Sequence, residues 1–152
     1  MTRLSIPQKV YQMNLYDLVL ATIAAKSPPD HFREKALAYG FREVVGADPE
    51  MEQRLFLPEV HKMNGNGSGS GLERVILLMQ SFHVLETNGS GQLYFPDAFK
   101  PINLRGLRQR YGSGVQERLR PFTEAVWNAA ARYPIPVVSV DDAVFSGERA
   151  GA

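Results

Sequence analysis

The residues best suited to chemistry in this sequence are arginines that cluster between positions 100 and 120. The segment carries six basic side chains and a single acid, Glu117, so its local charge is +5 in a chain of net charge +1. Guanidinium groups bind phosphate and carboxylate in bidentate fashion, and an aromatic ring among them could stack on a base. A solvated face whose charge is offset by acids elsewhere is the alternative. The predicted anion- or nucleic-acid-binding residues are Lys100, Arg105, Arg108, Arg110, Tyr111, Arg118 and Arg120.

Histidine and cysteine give no comparable pattern. The three histidines, His31, His61 and His83, fall in three different predicted elements and form neither an H-x-x-x-H nor an H-E-x-x-H motif. The chain has no cysteine, which excludes disulfides, thiolate zinc sites and cysteine nucleophiles. We therefore predict no catalytic residue, no metal site and no cofactor, and an enzyme is the less favoured class of function.

The paired acids Asp141 and Asp142 support one enzymatic alternative. They follow a predicted strand at residues 137–140, and a strand at residues 75–79 would join it, through the helix after Pro121, into a βαβ unit. Such a unit resembles the second half of a Ser-His-Asp hydrolase of the SGNH type. The chain has no Gly-Asp-Ser block, and no histidine follows the two acids. An α/β hydrolytic enzyme is therefore the second alternative, and it requires residues 75–79 to form a strand.

A helix followed directly by a hairpin links the arginines to nucleic acid. Residues 72–82 match a helical stripe of apolar side chains, and a glycine-rich turn lies at residues 88–91. This order, over residues 72–95, is similar to a winged helix-turn-helix, in which the hairpin forms the wing. The resemblance implies a nucleic-acid-binding module that uses the basic 100–120 segment. Residues 58–71 depart from the family pattern, because they are longer and richer in glycine than its inter-helix turn.

The elements that position these residues are mainly helices, and the predicted class is α+β, predominantly helical. Helices are expected at residues 7–26, 28–45 with a break at Gly40, 49–57, 72–82, 114–120 and 121–133, with a hairpin at 84–95 and a C-terminal strand at 137–140. Residues 99–112 are expected to be irregular or briefly helical. The apolar run at residues 75–79 should lie in a central helix that the others enclose. The predicted core comprises Leu15, Leu18, Ile23, Phe41, Leu55, Ile76, Met79, Phe82, Phe122, Val126 and Trp127.

Residues 64–71, which read NGNGSGSG, divide the chain into a helical segment at 1–63 and a segment at 72–152 with a helix, the hairpin, a helix and the strand. Glycine, serine and asparagine cannot anchor a core, so this stretch is expected to be a flexible linker. Its composition is more typical of an engineered linker than of a natural loop. Either a natural loop was replaced, or two pieces were tethered to raise their effective concentration. In both cases we expect one compact domain.

The overall composition favours a globular protein that docks on another molecule. The chain is 44% hydrophobic and 22% charged, and no N-terminal segment matches a signal peptide or a membrane span, so we expect a cytoplasmic protein without membrane insertion. We predict a non-enzymatic protein–protein interaction or assembly module, an adaptor or a subunit of a larger complex. Its partner would be another protein or a tethered partner segment, and nucleic acid is the first alternative. Such a module should expose an apolar patch larger than a monomer normally tolerates.

Overall fold

The computed structural model describes residues 8–26, 30–46, 48–56 and 70–133. The elements in chain order are α1 (Gln8–Gln12), α2 (Leu15–Ala24), α3 (Glu34–Val45), α4 (Pro49–Phe56), α5 (Gly71–Ser81), β1 (Glu86–Thr87), β2 (Leu93–Tyr94), α6 (Phe99–Tyr111) and α7 (Val115–Ala130). The described residues are mostly helical, and the two strands form one small antiparallel sheet. The predicted α+β class with a predominance of helix is confirmed.

Helix α2 is the most deeply enclosed element. Every residue from Asp17 to Ala24 is buried, and the helix packs against α5, α6 and α7. It begins after Asn14, whose Oδ1 accepts a hydrogen bond from the backbone N–H of Asp17 at 2.8 Å. This cap divides residues 7–26 into α1 and α2, so the prediction of one continuous helix is wrong. An asparagine side chain satisfies backbone donors that would otherwise need the preceding turn, and it therefore starts a new helix.

Helix α5 is not the enclosed centre that the sequence suggested. Its inner face, with Leu72, Val75, Ile76 and Met79, is buried, and the helix packs against α2 and α4. Its other face is open to solvent, and the prediction that Phe82 lies in the core is wrong because that ring is exposed. Leu15 and Trp127 are partly buried against the core. The other predicted core residues are buried: Leu18, Ile23, Phe41, Leu55, Ile76, Met79, Phe122 and Val126.

Helices α3 and α7 form the most extensive helix–helix contact among the described residues. The helices approach closely at Gly40, where a Cβ atom would lie 2.3 Å from the carbonyl oxygen of Val126. The rings of Phe41 and Phe122 pack beside this point with centroids 6.2 Å apart. Helix α3 runs through Gly40 without a break, contrary to the prediction. The glycine serves the approach of α7, and the packing it permits offsets its low helix propensity.

The basic segment forms two full helices where short or irregular structure was predicted. Helix α6 covers all but the last residue of the 99–112 stretch that was expected to be irregular, and α7 continues through Pro121. Val115, Leu119, Phe122 and Val126 are buried along one continuous face of α7 on both sides of the proline. Packing of that face offsets the roughly 3 kcal/mol that an interior proline costs. The predicted division into two helices at this residue is therefore wrong.

The hairpin is present in a shorter form than its predicted arms. Strands β1 and β2 pair antiparallel, with Glu86 opposite Tyr94 and Thr87 opposite Leu93. The turn is held by Asn88, whose Oδ1 accepts backbone hydrogen bonds from Ser90 and Gln92, both at 2.9 Å. Gly91 adopts a φ of 81°, which favours glycine. On its other edge Leu93 forms an isolated bridge with Phe32, which joins the hairpin to the residues before α3.

Several predictions fall on residues outside the described part of the chain. These are the strand at 137–140 with Asp141 and Asp142, His61, and residues 64–69 of the proposed linker. Residues 75–79 are helical, so the βαβ unit required by the hydrolytic alternative does not form, and that alternative is discarded. Within the described residues, no helix is both long and apolar enough to cross a bilayer.

The two segments on either side of the proposed linker pack closely against each other. Trp127 donates its Nε1–H to the carbonyl oxygen of Thr22 at 2.6 Å, and α3 lies along α7. Ser70 and Gly71, assigned by the sequence to the end of the linker, belong to the start of α5. Ser70 is the N-cap of that helix. The engineered origin of residues 64–71 stays a prediction.

Candidate functional site

The exposed side of α5 carries the largest group of apolar side chains on one described helix face. The exposed fractions are 64% for Leu77, 44% for Leu78 and 66% for Phe82. Leu78 and Phe82 are four residues apart, as are Leu77 and Ser81, so they lie side by side along the helix. Arg74 is on the same side one turn earlier. We call Arg74, Leu77, Leu78, Ser81 and Phe82 the outward face of α5.

Both ends of α5 are fixed, so the outward face is presented on a rigid element. At the start, Ser70 Oγ accepts from the N–H of Glu73 at 3.3 Å, and Glu73 Oε1 accepts from the N–H of Ser70 at 3.0 Å. At the other end, the N–H groups of Val84 and Leu85 donate to the carbonyl oxygen of Met79 at 2.8 and 3.2 Å. These bonds satisfy backbone groups that helix ends leave open.

Gly71 fixes how closely the inner face of α5 lies on α4 and α2. A Cβ at this position would lie 1.9 Å from the carbonyl oxygen of Arg54 and 2.8 Å from Leu15 Cδ2. The backbone of α5 therefore approaches α4 more closely than any side chain would allow. The orientation of the outward face follows from this contact, because a helix seated on one side presents its opposite side to solvent.

The apolar area of the outward face is large for a single helix. With a whole side chain taken as about 200 Å², Leu77, Leu78 and Phe82 together expose roughly 300 Å². The largest apolar patch on a typical monomer is about 300–600 Å², and such patches are often functional. The outward face lies at the lower end of this range, so it is not the patch larger than a monomer normally tolerates that the sequence led us to expect. Its three apolar side chains lie together on one helix, which distinguishes it from singly scattered apolar residues.

The predicted basic site is divided by the fold, because Arg110 and Tyr111 bind a buried acid. Arg110 donates to both carboxylate oxygens of Asp17, from Nε at 3.0 Å and from Nη2 at 2.7 Å. Tyr111 donates its hydroxyl to Asp17 Oδ2 at 2.7 Å. The hydrogen bond with Asp17 raises the pKa of Arg110, and burial together with the same carboxylate raises the pKa of Tyr111. These two side chains join α6 to α2 and are engaged within the protein.

The other five residues of the predicted basic site differ in their surroundings. Arg118 donates to the carbonyl oxygen of Tyr111 at 2.7 Å and so caps α6. Lys100 Nζ lies 3.9 Å from Asp30 Oδ1, a loose surface ion pair. The side chains of the other three project from α6 and α7: Arg105, Arg108 and Arg120. Arg110, Tyr111 and Arg118 are thus bonded within the protein. Anion or nucleic-acid binding by the seven residues stays a prediction.

The three projecting arginines make limited contacts of their own. Arg108 Nη1 donates to Gln116 Oε1 at 3.0 Å, across the junction between α6 and α7. Arg120 Nη2 lies 3.8 Å from Glu117 Oε2, with both side chains mostly exposed. Arg105 is exposed and has no bonded partner among the described residues. Their guanidinium groups remain accessible to an external anion.

The described histidines lie in separate surroundings. The ring of His31 packs on Tyr94 with centroids 4.9 Å apart, and His83 Nδ1 lies 3.0 Å from Glu86 Oε2. Within the described ranges, no group of three or more His, Asp or Glu side chains is arranged to hold a metal ion.

Two open clefts flank α3, and the described residues that line each of them include both basic and acidic side chains. The larger, about 810 Å³, is lined by residues that include Glu34 and Glu73; burial and then the nearby Glu73 charge raise the pKa of Glu34. The smaller, about 550 Å³, contains Lys26, whose Nζ lies 5.4 Å from the centre of the Trp127 ring. Burial lowers the pKa of Lys26. The mixed charges of the two linings favour no single class of ligand.

The outward face was missed by sequence reasoning although its signal is present. Residues 75–79 are five consecutive apolar residues, and successive residues of a helix point about 100° apart. Such a run covers the whole circumference of a helix, so the helix is either enclosed or exposes part of the run. Only the arrangement of the neighbouring helices decides between these outcomes.

Comparison with known proteins finds no match to this chain among family models, curated proteins or solved structures.

Proposed function

We propose that this protein is a non-enzymatic interaction module, an adaptor or a subunit of a larger assembly, that binds a protein through the outward face of α5. The observation that carries the proposal is the exposure of Leu77, Leu78 and Phe82 on one face of a helix whose two ends are fixed. A partner that covers this face removes apolar surface from water without reorganising α5. Rigid presentation lowers the entropy that binding must overcome.

The area of the face sets the expected strength of binding. Burial of roughly 300 Å² of apolar surface contributes about 7 kcal/mol at about 25 cal/mol per Å². Loss of translational and rotational freedom offsets at least about 4 kcal/mol of the total gain. The partner contributes apolar surface of its own, and polar contacts at the rim add to it. We therefore expect micromolar affinity, typical of a regulated or weakly held subunit.

Site-specific crosslinking tests the proposal. A photo-crosslinking phenylalanine derivative replaces Leu78 in the full chain, which is expressed in its native cells and irradiated. We expect one reproducible adduct, which mass spectrometry identifies, because the partner covers this side chain. The same derivative in place of Ile102 is the matched control, since Ile102 is 54% exposed on α6 and lies outside the outward face.

The identified partner must then bind the purified protein. Calorimetry should show a dissociation constant at least about tenfold weaker for the double variant Leu77→Ser/Phe82→Ser than for the wild type. Both side chains are exposed, so the variant should unfold at nearly the same denaturant concentration as the wild type. No adduct above the Ile102 control, or an affinity that the double variant leaves unchanged, would refute the proposal.

Nucleic-acid binding is the second candidate, supported by the accessible guanidinium groups of Arg105, Arg108 and Arg120. Arg120 lies one helical turn after Gln116, the residue that Arg108 contacts, so Arg108 and Arg120 lie on the same side of the α6–α7 pair. A basic face of this kind binds phosphates without reading sequence.

The salt dependence of binding tests this second candidate. If all three arginines contact phosphate, the slope of log affinity against log salt concentration should be about −2.7 with double-stranded and about −2.1 with single-stranded oligonucleotides. The variant Arg105→Glu/Arg108→Glu/Arg120→Glu should lose that slope, whereas Lys35→Glu on α3 should retain it. An affinity that does not change from about 50 to about 200 mM salt excludes the candidate.

A further inference from the structure

We infer that His83, at the C-terminal end of α5, is a partner-binding residue, and that it binds a lysine or arginine side chain of the protein that covers the outward face. This inference rests on the proposed function and names a chemical feature of the partner. It starts from the backbone, because His83 has a φ of 62° and is the only residue other than glycine with a positive φ among the described residues. Left-handed backbone is sterically unfavourable for a residue with a Cβ, and such outliers cluster at functional sites.

The end of α5 requires a left-handed residue at this position. The N–H of His83 donates to the carbonyl oxygen of Gln80 at 3.1 Å, and the N–H of Val84 donates to that of Met79 at 2.8 Å. These two bonds form a Schellman motif, in which the residue after the C-cap is left-handed and is usually glycine. The motif explains the backbone at position 83 but not the histidine side chain, since glycine would end the helix without the steric cost.

Contacts of the imidazole within the described residues add little stability to the fold. His83 Nδ1 lies 3.0 Å from Glu86 Oε2, and the two side chains are 75% and 41% exposed. An exposed pair of this kind contributes little to folding. The histidine thus departs from the local preference for glycine without an evident gain inside the protein, and such departures are expected at functional sites. We therefore assign the imidazole to a contact with another molecule.

The position of His83 beside the outward face supports this assignment. It follows Phe82 in the chain, so its Cα lies about 3.8 Å from the Cα of the most exposed apolar residue of that face. Protein–protein interfaces combine an apolar centre with a polar rim, and they include direct hydrogen bonds. His83 supplies a polar group of this kind at the end of α5.

The contact with Glu86 determines which group the imidazole can bind. An ionised carboxylate only accepts hydrogen bonds, so Nδ1 carries the proton and Nε2 of the neutral ring is an acceptor. The neutral ring and the carboxylate together are negatively charged. A cationic donor can therefore donate to Nε2 and is also attracted by Glu86, which strengthens the hydrogen bond. Lysine and arginine side chains are such donors, whereas an acidic side chain would be repelled.

Substitution of His83 in the crosslinking experiment tests its role in binding. The photo-crosslinking derivative at position 78 is combined with His83→Gly in the full chain, and the adduct yield in native cells should fall at least about fivefold. Calorimetry with the partner identified from the wild-type adduct should show binding at least about tenfold weaker, because a hydrogen bond to a charged group is lost. His31→Gly is the control, since that exposed imidazole packs on Tyr94 and should leave both measurements unchanged.

The stability of the free protein separates a binding role from a structural one. His83→Gly relieves the left-handed strain and removes only an exposed pair, so its folding equilibrium constant should equal that of the wild type or exceed it by up to about fivefold. A structural histidine would instead lower stability and affinity together. A variant that unfolds at a lower urea concentration than the wild type, or that binds the partner equally tightly, overturns the inference.

Charge reversal at Glu86 tests the chemistry assigned to the partner. Glu86→Lys should weaken binding of the identified partner at least about tenfold, because a lysine or arginine of the partner would then be repelled. Glu50→Lys makes the same change at an exposed position on α4 and should not alter the affinity. Thermal unfolding of each variant shows whether the fold is retained. Unchanged or tighter binding by Glu86→Lys would overturn the assignment of a basic group.

The two proposals fail in different ways. Absence of an adduct at position 78 above the Ile102 control overturns the proposed function and this inference with it. An adduct whose yield His83→Gly leaves at the wild-type level overturns the role of His83 alone, and the proposed function stands. An adduct that is lost in a His83→Gly protein of undiminished stability supports both.

Discussion

Helices α2 and α5 are the two most apolar stretches of the described chain, and the protein treats them differently. Every residue of α2 from Asp17 to Ala24 is buried, and the helix lies against α5, α6 and α7. Helix α5 buries one face against α2 and α4 and leaves Leu77, Leu78 and Phe82 open. The neighbouring helices bury α2. The described residues leave the outward face of α5 uncovered.

The difference shows that an apolar run indicates which side chains favour burial. It does not indicate whether the same chain or a partner covers them. Helix α2 even encloses a charge, because Arg110 and Tyr111 of α6 reach the carboxylate of Asp17. Nothing comparable reaches the outward face of α5 from the described residues. We interpret α2 as a structural centre and α5 as an element that faces inward with one side and toward a partner with the other.

The largest expected effect tests burial directly. Leu18→Ala in α2 removes a side chain that is 0% exposed and should lower the free energy of unfolding by about 3 kcal/mol, from lost transfer energy and the cavity left behind. Leu77→Ala is the matched change on α5 and should cost less than about 0.5 kcal/mol in the monomer, because that side chain is mostly exposed. Urea unfolding at low protein concentration measures both. Equal losses would mean that α5 is covered after all.

The second-largest expected effect on the free energy of unfolding comes from the ion pair between Arg110 and the buried Asp17 carboxylate of α2. Arg110→Met leaves the Asp17 carboxylate, whose side chain is 4% exposed, without its bidentate partner and should cost about 2–3 kcal/mol. Arg105→Met, on the exposed side of the same helix, should change stability by less than about 0.5 kcal/mol. The double variant Asp17→Asn/Arg110→Met should lose less than the two single losses combined, because the carboxylate is gone. A strictly additive result would show that the pair does not couple α6 to α2.

A smaller loss of stability is expected from a substitution at Gly71, where α5 contacts the backbone of α4. Gly71→Ala places a methyl group against the carbonyl oxygen of Arg54, and we expect a loss of about 2 kcal/mol, because overpacking outweighs the gain in helix propensity. Gly89→Ala in the hairpin turn is the control, since a Cβ there meets nothing within 4 Å. If Gly71→Ala has no effect, the inner face of α5 is not held against α4 as closely as the contact at Arg54 indicates.

The smallest expected effect concerns a peripheral contact, which contrasts with the buried one at Asp17. Tyr11 of α1 donates its hydroxyl to Asp48, just before α4, and this hydrogen bond, with burial and the nearby acids, raises the pKa of Tyr11 to about 12 from its usual 10.0. Above pH 10 the unfolded chain loses the proton first, so this contribution to stability is present below pH 10 and is lost as the pH rises toward 12. The unfolding free energy of wild type minus that of Tyr11→Phe, measured from pH 9 to 11.5, should therefore decrease. A difference that stays constant would contradict the assigned bond.

Local signals in the sequence predicted local structure well. The helical stripe at residues 72–82 gave α5, Asp48 and Pro49 gave the start of α4, and the Asn-Gly turn gave the hairpin. Asp48 caps α4 as expected, with its Oδ1 accepting from the N–H of Met51 at 3.1 Å. These signals depend on side chains a few residues apart, so they can be recognised without knowledge of distant partners.

Predictions that depended on distant partners were less successful. Gly40 was taken as a helix break, and Pro121 as a helix start, because the sequence does not show that α3 and α7 pack along both residues. The candidate basic site contained Arg110 and Tyr111 for the same reason, since their acceptor, Asp17, lies more than ninety positions earlier. A run of basic residues does not reveal which of them an internal acid engages.

The sequence by itself determined that this chain is predominantly helical, where its hairpin turns and which apolar residues require burial, because helix periodicity, caps and turns are encoded within a few residues. Only the tertiary structure decided that α2 is enclosed, that Asp17 binds two members of the basic segment and that one face of α5 stays open. Those outcomes depend on which helices meet, and the free energy of a contact between distant residues is not contained in either segment alone. The outward face of α5 is thus a property of the assembled fold, and the proposed binding role follows from that assembly.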